Sequence, residues 1–239
     1  MTKNYSIQKY GGDTANILKE SLIGLVEGLS GIVVSKKMDF QLSIGHLLQS
    51  LIKGKFLNQL IEEWNKCRNK GKIKDDYQTS EQHIECLQEI LDFIDSDMPD
   101  EKRFSVLKKI FLVTATESIS ERHDVLPQQY MKIARKLTSG EVLVLLGAFQ
   151  LSKKKEINST GIGAKTWLGN IAKVTNLKHS ELVELHERNL IDKNLITPRR
   201  RGEKGSVLLG QHYRLTELGY QICIFVEAYD ESHEGEQAD

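Results

Sequence analysis

Apolar residues recur at intervals of three and four along most of this chain, which is the spacing of amphipathic helices rather than of alternating strands. After a loose lead-in over residues 1–13 that ends in Gly11 and Gly12, Thr14 stands where an N-cap belongs. Ile17, Leu18, Leu22, Leu25, Val26 and Leu29 then share one stripe. Gly24, Gly28 and Gly31 share another, and because a glycine inside a helix costs about 1 kcal/mol relative to alanine, they predict close helix packing. Asp39 opens a longer segment with Leu47, Leu48, Leu51, Ile52, Leu60, Ile61 and Trp64 at helical spacing. Gly54 marks a place for a kink or break, and Asn69-Lys70-Gly71 supplies the stop.

Thr79 and Gln82 have capping-box spacing and precede a stripe of Ile84, Leu87, Ile90, Leu91 and Ile94. The acidic run from Asp95 to Glu101 lacks the central glycine and terminal glutamate of a calcium loop. Pro99, Asp100 and Glu101 instead suit a helix start, with φ preset and negative charge at the positive end of the dipole. That helix carries Phe104, Leu107, Ile110, Phe111 and Val113, and reads as the central helix of an N-terminal bundle. Pro127 lies in the first turn of a shorter helix with Tyr130, Ile133, Ala134 and Leu137. Thr138 and Glu141 form a second capping box, ahead of a helix from Val142 to Leu151 that is apolar nearly all round. Both of its faces should be covered, one by the C-terminal segments and the other by the bundle.

The C-terminal part changes character. Lys153, Lys154, Lys155 and the run from Asn158 to Ala164 break the helical pattern and predict a loop with one short strand. Trp167, Leu168, Ile171 and Val174 return to helical spacing, and Thr175-Asn176-Leu177-Lys178 turns the chain. A helix from about His179 to Asn194 offers Leu182, Val183, Leu185, Leu190 and Ile191 to the core and Glu181, Glu184 and Glu187 to solvent. A basic, glycine-punctuated loop follows from Thr197, and the run Tyr213-Arg214-Leu215-Thr216-Glu217-Leu218-Gly219 leads into a last helix that Thr216 can cap.

That order resembles a winged helix-turn-helix domain: helix, turn, helix, basic hairpin, exit helix. The expected fold is therefore mainly α, with a helical bundle over residues 14–137 packed on a winged-helix domain over residues 138–229 that carries one small β-hairpin. Residues 230–239 hold five acids and no Lys or Arg, so they are expected to be a disordered acidic tail.

Composition narrows the function. Lys and Arg number 33 and so do Asp and Glu, so any electrostatic partner must be recognised by a local patch. Three widely spaced cysteines, Cys67, Cys86 and Cys223, fit neither a disulfide framework nor a zinc site and suggest a reducing cytoplasm. The most apolar window, Leu22 to Val34, is interrupted by Glu27 and is too short for a bilayer, so no membrane partner is expected. His179 and His186 lie seven residues apart with no chelating neighbour, and no nucleophile elbow, zinc-protease motif or phosphate loop occurs. No enzyme, metal or cofactor is expected.

The resemblance implies a cytoplasmic, bacterial DNA-binding regulator or accessory protein. Its phosphate contacts would come from Arg199, Arg200, Arg201, Lys204 and Arg214 in the wing and from Lys165, Lys178, His179 and Ser180 around the recognition helix. From Thr197 to Leu215 the net charge is +4, with Glu203 the one acid. The acids of the leading helix would repel phosphates, however, and a protein-interaction scaffold or homo-oligomer with the same fold stands beside the DNA reading. If the wing arginines are free at a loop tip, replacing Arg199, Arg200 and Arg201 together by Ala should leave the thermal midpoint nearly unchanged.

Overall fold

A computed structural model of the chain describes residues 50–74, 77, 80–96, 99–116, 127–153, 162–199, 206–207 and 212–234. The expected N-terminal helix with its glycine stripe, Leu47, Leu48, Thr79, Lys154, Lys155, Arg200, Arg201 and Lys204 lie outside them. The described part is mainly helical: α1 (Leu51–Asn69), α2 (Glu81–Asp95), α3 (Glu101–Ala115), α4 (Pro127–Arg135), α5 (Ser139–Ser152), α6 (Ala164–Thr175), α7 (Ser180–Asp192) and α8 (Glu217–Glu234). Its one sheet pairs two short strands, β1 (Ile162–Gly163) and β2 (Ser206–Val207), antiparallel with Ile162 opposite Val207.

These residues form two compact units, one holding α1, α2 and residues 114–116 and 127–128, the other holding residues 100–113 and those from 129 onward. In the first unit α1 begins at Ser50, whose hydroxyl accepts from the Lys53 amide. Gly54 sits inside the continuous helix, so no break occurs there. α1 stops where the sequence predicts: the Gly71 amide donates to Arg68 O at 2.9 Å and the Lys72 amide to Cys67 O at 3.0 Å, a Schellman closure. That closure needs a left-handed residue, and Gly71, at φ +66°, supplies it without a Cβ clash.

Leu57, Leu60, Ile61 and Trp64 of α1 and Leu87, Ile90, Leu91 and Ile94 of α2 are buried. Ile52, read above as part of the apolar stripe, is instead 65% exposed. α2 starts one residue later than the Thr79 box predicts, because Ser80 takes the cap and accepts from the His83 amide at 3.1 Å. Lys53 reaches Asp95 at 2.7 Å, tying the start of α1 to the end of α2. His83 is buried with its ring 5.1 Å from both Trp64 and Tyr77.

In the second unit the start of α3 follows the capping reading: Asp100 accepts from the Arg103 amide at 3.0 Å. Phe104, Leu107, Ile110, Phe111 and Val113 are all buried. Both halves of the Thr138–Glu141 capping box are present at the head of α5. α5 is the centre of this unit, with Val142, Val144, Leu145, Ala148, Phe149 and Leu151 buried and α6, α7 and α8 packed around it.

The last helix differs from expectation at its end. It runs to Glu234, past Tyr229, where a disordered tail was expected to begin at Asp230. Asp230 is held by Lys109 Nζ at 2.5 Å, and the same ammonium lies over the Tyr229 ring, which gives these turns a partner on α3. Its beginning matches expectation, with the Thr216 hydroxyl accepting from the Gly219 amide at 3.0 Å.

Gly219 also presses on the loop that follows α7: a Cβ there would lie 2.2 Å from the backbone oxygen of Leu195. Because that neighbour is backbone, Gly219→Ala must push α8 away from Leu195. A loss of about 1–3 kcal/mol is expected, read as a lower midpoint in urea unfolding.

Candidate functional site

The chemistry of the second unit converges on Glu187. α7 begins at Ser180 and ends in a Schellman closure at left-handed Asn194, where the Leu195 amide donates to Leu190 O at 2.9 Å. α6 closes in the same way, with left-handed Asn176 and the Leu177 amide on Ala172 O. In both positions Asn tolerates φ > 0 better than most side chains. These closures set the turn before α7 and the exit after it.

On α7, Val183, Glu187 and Leu190 face inward. Glu187 was expected in solvent; it is 2% exposed. Its Oε1 accepts from Arg214 Nη1 at 2.5 Å and from Arg199 Nε at 2.9 Å, while Oε2 accepts from Arg199 Nη2. One carboxylate thus holds two guanidiniums. Arg199 also approaches Glu184, at 3.6 Å.

Arg214 is 1% exposed and makes the hub possible. Its Nη2 donates to Thr197 O at 2.5 Å, and its guanidinium carbon lies 4.5 Å from the centre of the Trp167 ring. Tyr213 stacks on the same indole at 6.5 Å and accepts from Asn170 at 3.2 Å. The backbone bends sharply to place both side chains, with Tyr213 at φ +52° and Arg214 at φ +72°. Two successive left-handed residues with bulky side chains cost about 1–3 kcal/mol each, so the buried contacts must over-determine them. The Thr197 amide donates to Arg214 O at 2.7 Å, and Ile196 bridges Leu215, which closes the segment on itself.

Burial pulls the Arg214 pKa below its ordinary value, against the pull of Glu187. The hydrogen bonds that Arg199 donates to Glu187 raise the Arg199 pKa. A second buried carboxylate, Glu141, links the head of α5 to the end of α7, accepting from the Thr138 amide at 2.8 Å and from Lys193 at 2.9 Å. Burial alone would raise its pKa, but these donors outweigh burial and hold it below the ordinary value. Against the same end of α5, the His186 ring packs so closely on Gly140 that a Cβ there would lie 2.0 Å from Nε2.

The residues proposed for nucleic acid therefore separate. Arg214, expected as a wing contact, is buried, and Arg199 is turned onto Glu187 rather than free at the loop tip. Arg200, Arg201 and Lys204 lie outside the described residues. Lys165, Lys178, His179 and Ser180 are exposed. The sequence places Glu187 in solvent with Glu181 and Glu184, which are indeed exposed, and offers pairing of the wing arginines with these acids only as the alternative. One available signal was phase, since Glu187 lies four residues after Val183 and three before Leu190.

A second correction concerns the leucines. Leu182 and Leu185 were assigned to the core, yet they are 42% and 49% exposed, three residues apart on the outer face of α7. Among the described residues no three His, Cys, Asp or Glu side chains gather in a way that could hold a metal. No described helix is long and apolar enough to cross a membrane. No family model, no curated protein and no solved structure matches this chain.

Removing Glu187 would leave Arg214 buried without its carboxylate, and breaking a buried pair in this way costs about 3–5 kcal/mol. Glu187→Ala is expected to lose that much in urea unfolding, whereas Arg199→Ala, a side chain 25% exposed, should lose clearly less. A triple Ala variant at Arg199, Arg200 and Arg201 is thus no longer expected to be neutral for stability.

Proposed function

We propose that the second unit is a winged-helix-like module that docks another protein through the outer face of α7. The order α5, β1, α6, α7, β2, α8 supports the winged-helix part of this reading. So do the antiparallel β1–β2 pair and the Ile196–Leu215 bridge, which together suit a small sheet and wing after α7.

The observation that carries the docking part is the outer face of α7. There Leu182 and Leu185 stand exposed, each directly after an exposed glutamate, Glu181 and Glu184. A helix in the recognition position that offers leucines and glutamates repels a phosphate backbone, while side chains of this kind suit a protein partner. Of the wing's basic side chains, Arg199 and Arg214 are drawn onto Glu187 and neutralise an internal carboxylate. The DNA reading keeps only Lys165, Lys178, His179 and Ser180 among its described contacts.

Duplex DNA decides between the two. A protein that neutralises several phosphates loses affinity steeply with salt, with a log-log slope of about −0.9 per phosphate. The docking reading expects no saturable binding even at low salt. Saturable binding with a steep salt slope, weakened when Lys165 and Lys178 are both replaced by Ala, would contradict it.

A further inference from the structure

The exposed residues along α7 have an order that selects a partner. Lys178 lies two residues before the helix begins, and Glu181, Leu182, Leu185, Arg188 and Asp192 follow, all exposed. Glu184, also exposed, lies between the two leucines and is approached by Arg199 at 3.6 Å; with that paired acid set aside, the properties from the N-terminal to the C-terminal end run positive, negative, apolar, apolar, positive, negative. On a helix of 3.6 residues per turn, Glu181, Leu185, Arg188 and Asp192 fall on one face, with Leu182 at its edge. No described residue forms an ion pair with Lys178, Glu181, Arg188 or Asp192.

This series is complementary to itself when reversed. If a second α7 lies antiparallel to the first about a two-fold axis near Leu185, Lys178 comes opposite Asp192 and Glu181 opposite Arg188. The leucines then meet across the centre. In a parallel arrangement in register, like charges would face each other at each of these positions. A two-fold contact requires one patch to complement itself, and this face meets that condition in both charge and apolar content. An acidic or a basic partner would match only half of it.

We infer that α7 is a homodimer face, and that the protein docked by the second unit is another copy of this chain in antiparallel α7–α7 contact. This inference rests on the docking reading above and names its partner. The contact is small, centred on two leucines from each chain, so the dimer should be weak and its population should depend on concentration. It also covers the helix that would otherwise enter a groove of DNA.

Sedimentation of the full chain tests it. The apparent mass should rise with concentration from 27.2 kDa toward twice that value. Leu185→Glu should hold the chain at the monomer mass, with an unchanged circular dichroism spectrum, because a side chain 49% exposed has room for a carboxylate in solvent. Glu181→Arg and Arg188→Glu should each weaken self-association at least about tenfold, since two-fold symmetry places like charges opposite each other twice. Mixing these two single variants should restore association as a heterodimer, because every facing pair is then opposite in sign.

A chain that stays monomeric at every concentration overturns the inference, as does a dimer indifferent to these substitutions or a mixture that fails to associate. If the chain is monomeric and does not bind DNA, the second copy is the wrong partner but the docking reading stands. Salt-steep DNA binding removes the docking reading itself.

Discussion

The second unit depends on a single buried carboxylate. Glu187 is the point at which α7, the segment after it and the turn before α8 meet, because the two guanidiniums that approach it come from Arg199 and Arg214. Without that charge the Arg214 guanidinium would sit desolvated against Trp167 with only Thr197 O to receive its protons. The left-handed Tyr213 and Arg214 would then lose what holds them in a sparsely populated conformation. Buried ion pairs are often no more stabilising than apolar packing, but they do fix geometry when each charge has a partner. Here the geometry fixed is the return of the chain from α7 to α8, which brings Gly219 against Leu195 O.

The hub also changes the electrostatics of the surface. A stretch that carries net +4 on paper contributes two of its cations to an internal acid, so its outward charge is smaller than the sequence implies. What α7 offers outward is Leu182 and Leu185 with Glu181, Glu184, Arg188 and Asp192.

Helices were largely legible in the sequence, and for local reasons. The Thr138–Glu141 box, the Asp100 cap, the Thr216 cap and the stop at Gly71 each involve residues within a few positions of one another. The Ser80 cap in place of the Thr79 box is a shift of one residue between adjacent side chains that both can cap. Burial was less legible. Leu182, Leu185 and Ile52 are apolar yet exposed, and Glu187 and Arg214 are charged yet buried, because each outcome depends on residues distant in sequence. Arg214 lies 27 residues from Glu187, and no periodicity joins them. The candidate site was therefore named from charge content, while the fold sorted those charges into internal and external ones.

The hub's role is measured most directly by a double-mutant cycle on Glu187 and Arg214, using Glu187→Gln, Arg214→Met and the pair together in urea unfolding. If the two side chains act as one buried unit, the losses are strongly non-additive, with a coupling energy of about 2 kcal/mol or more. Losses that add within about 0.5 kcal/mol would mean that each residue stabilises the unit separately, and Glu187 would not be what the unit depends on.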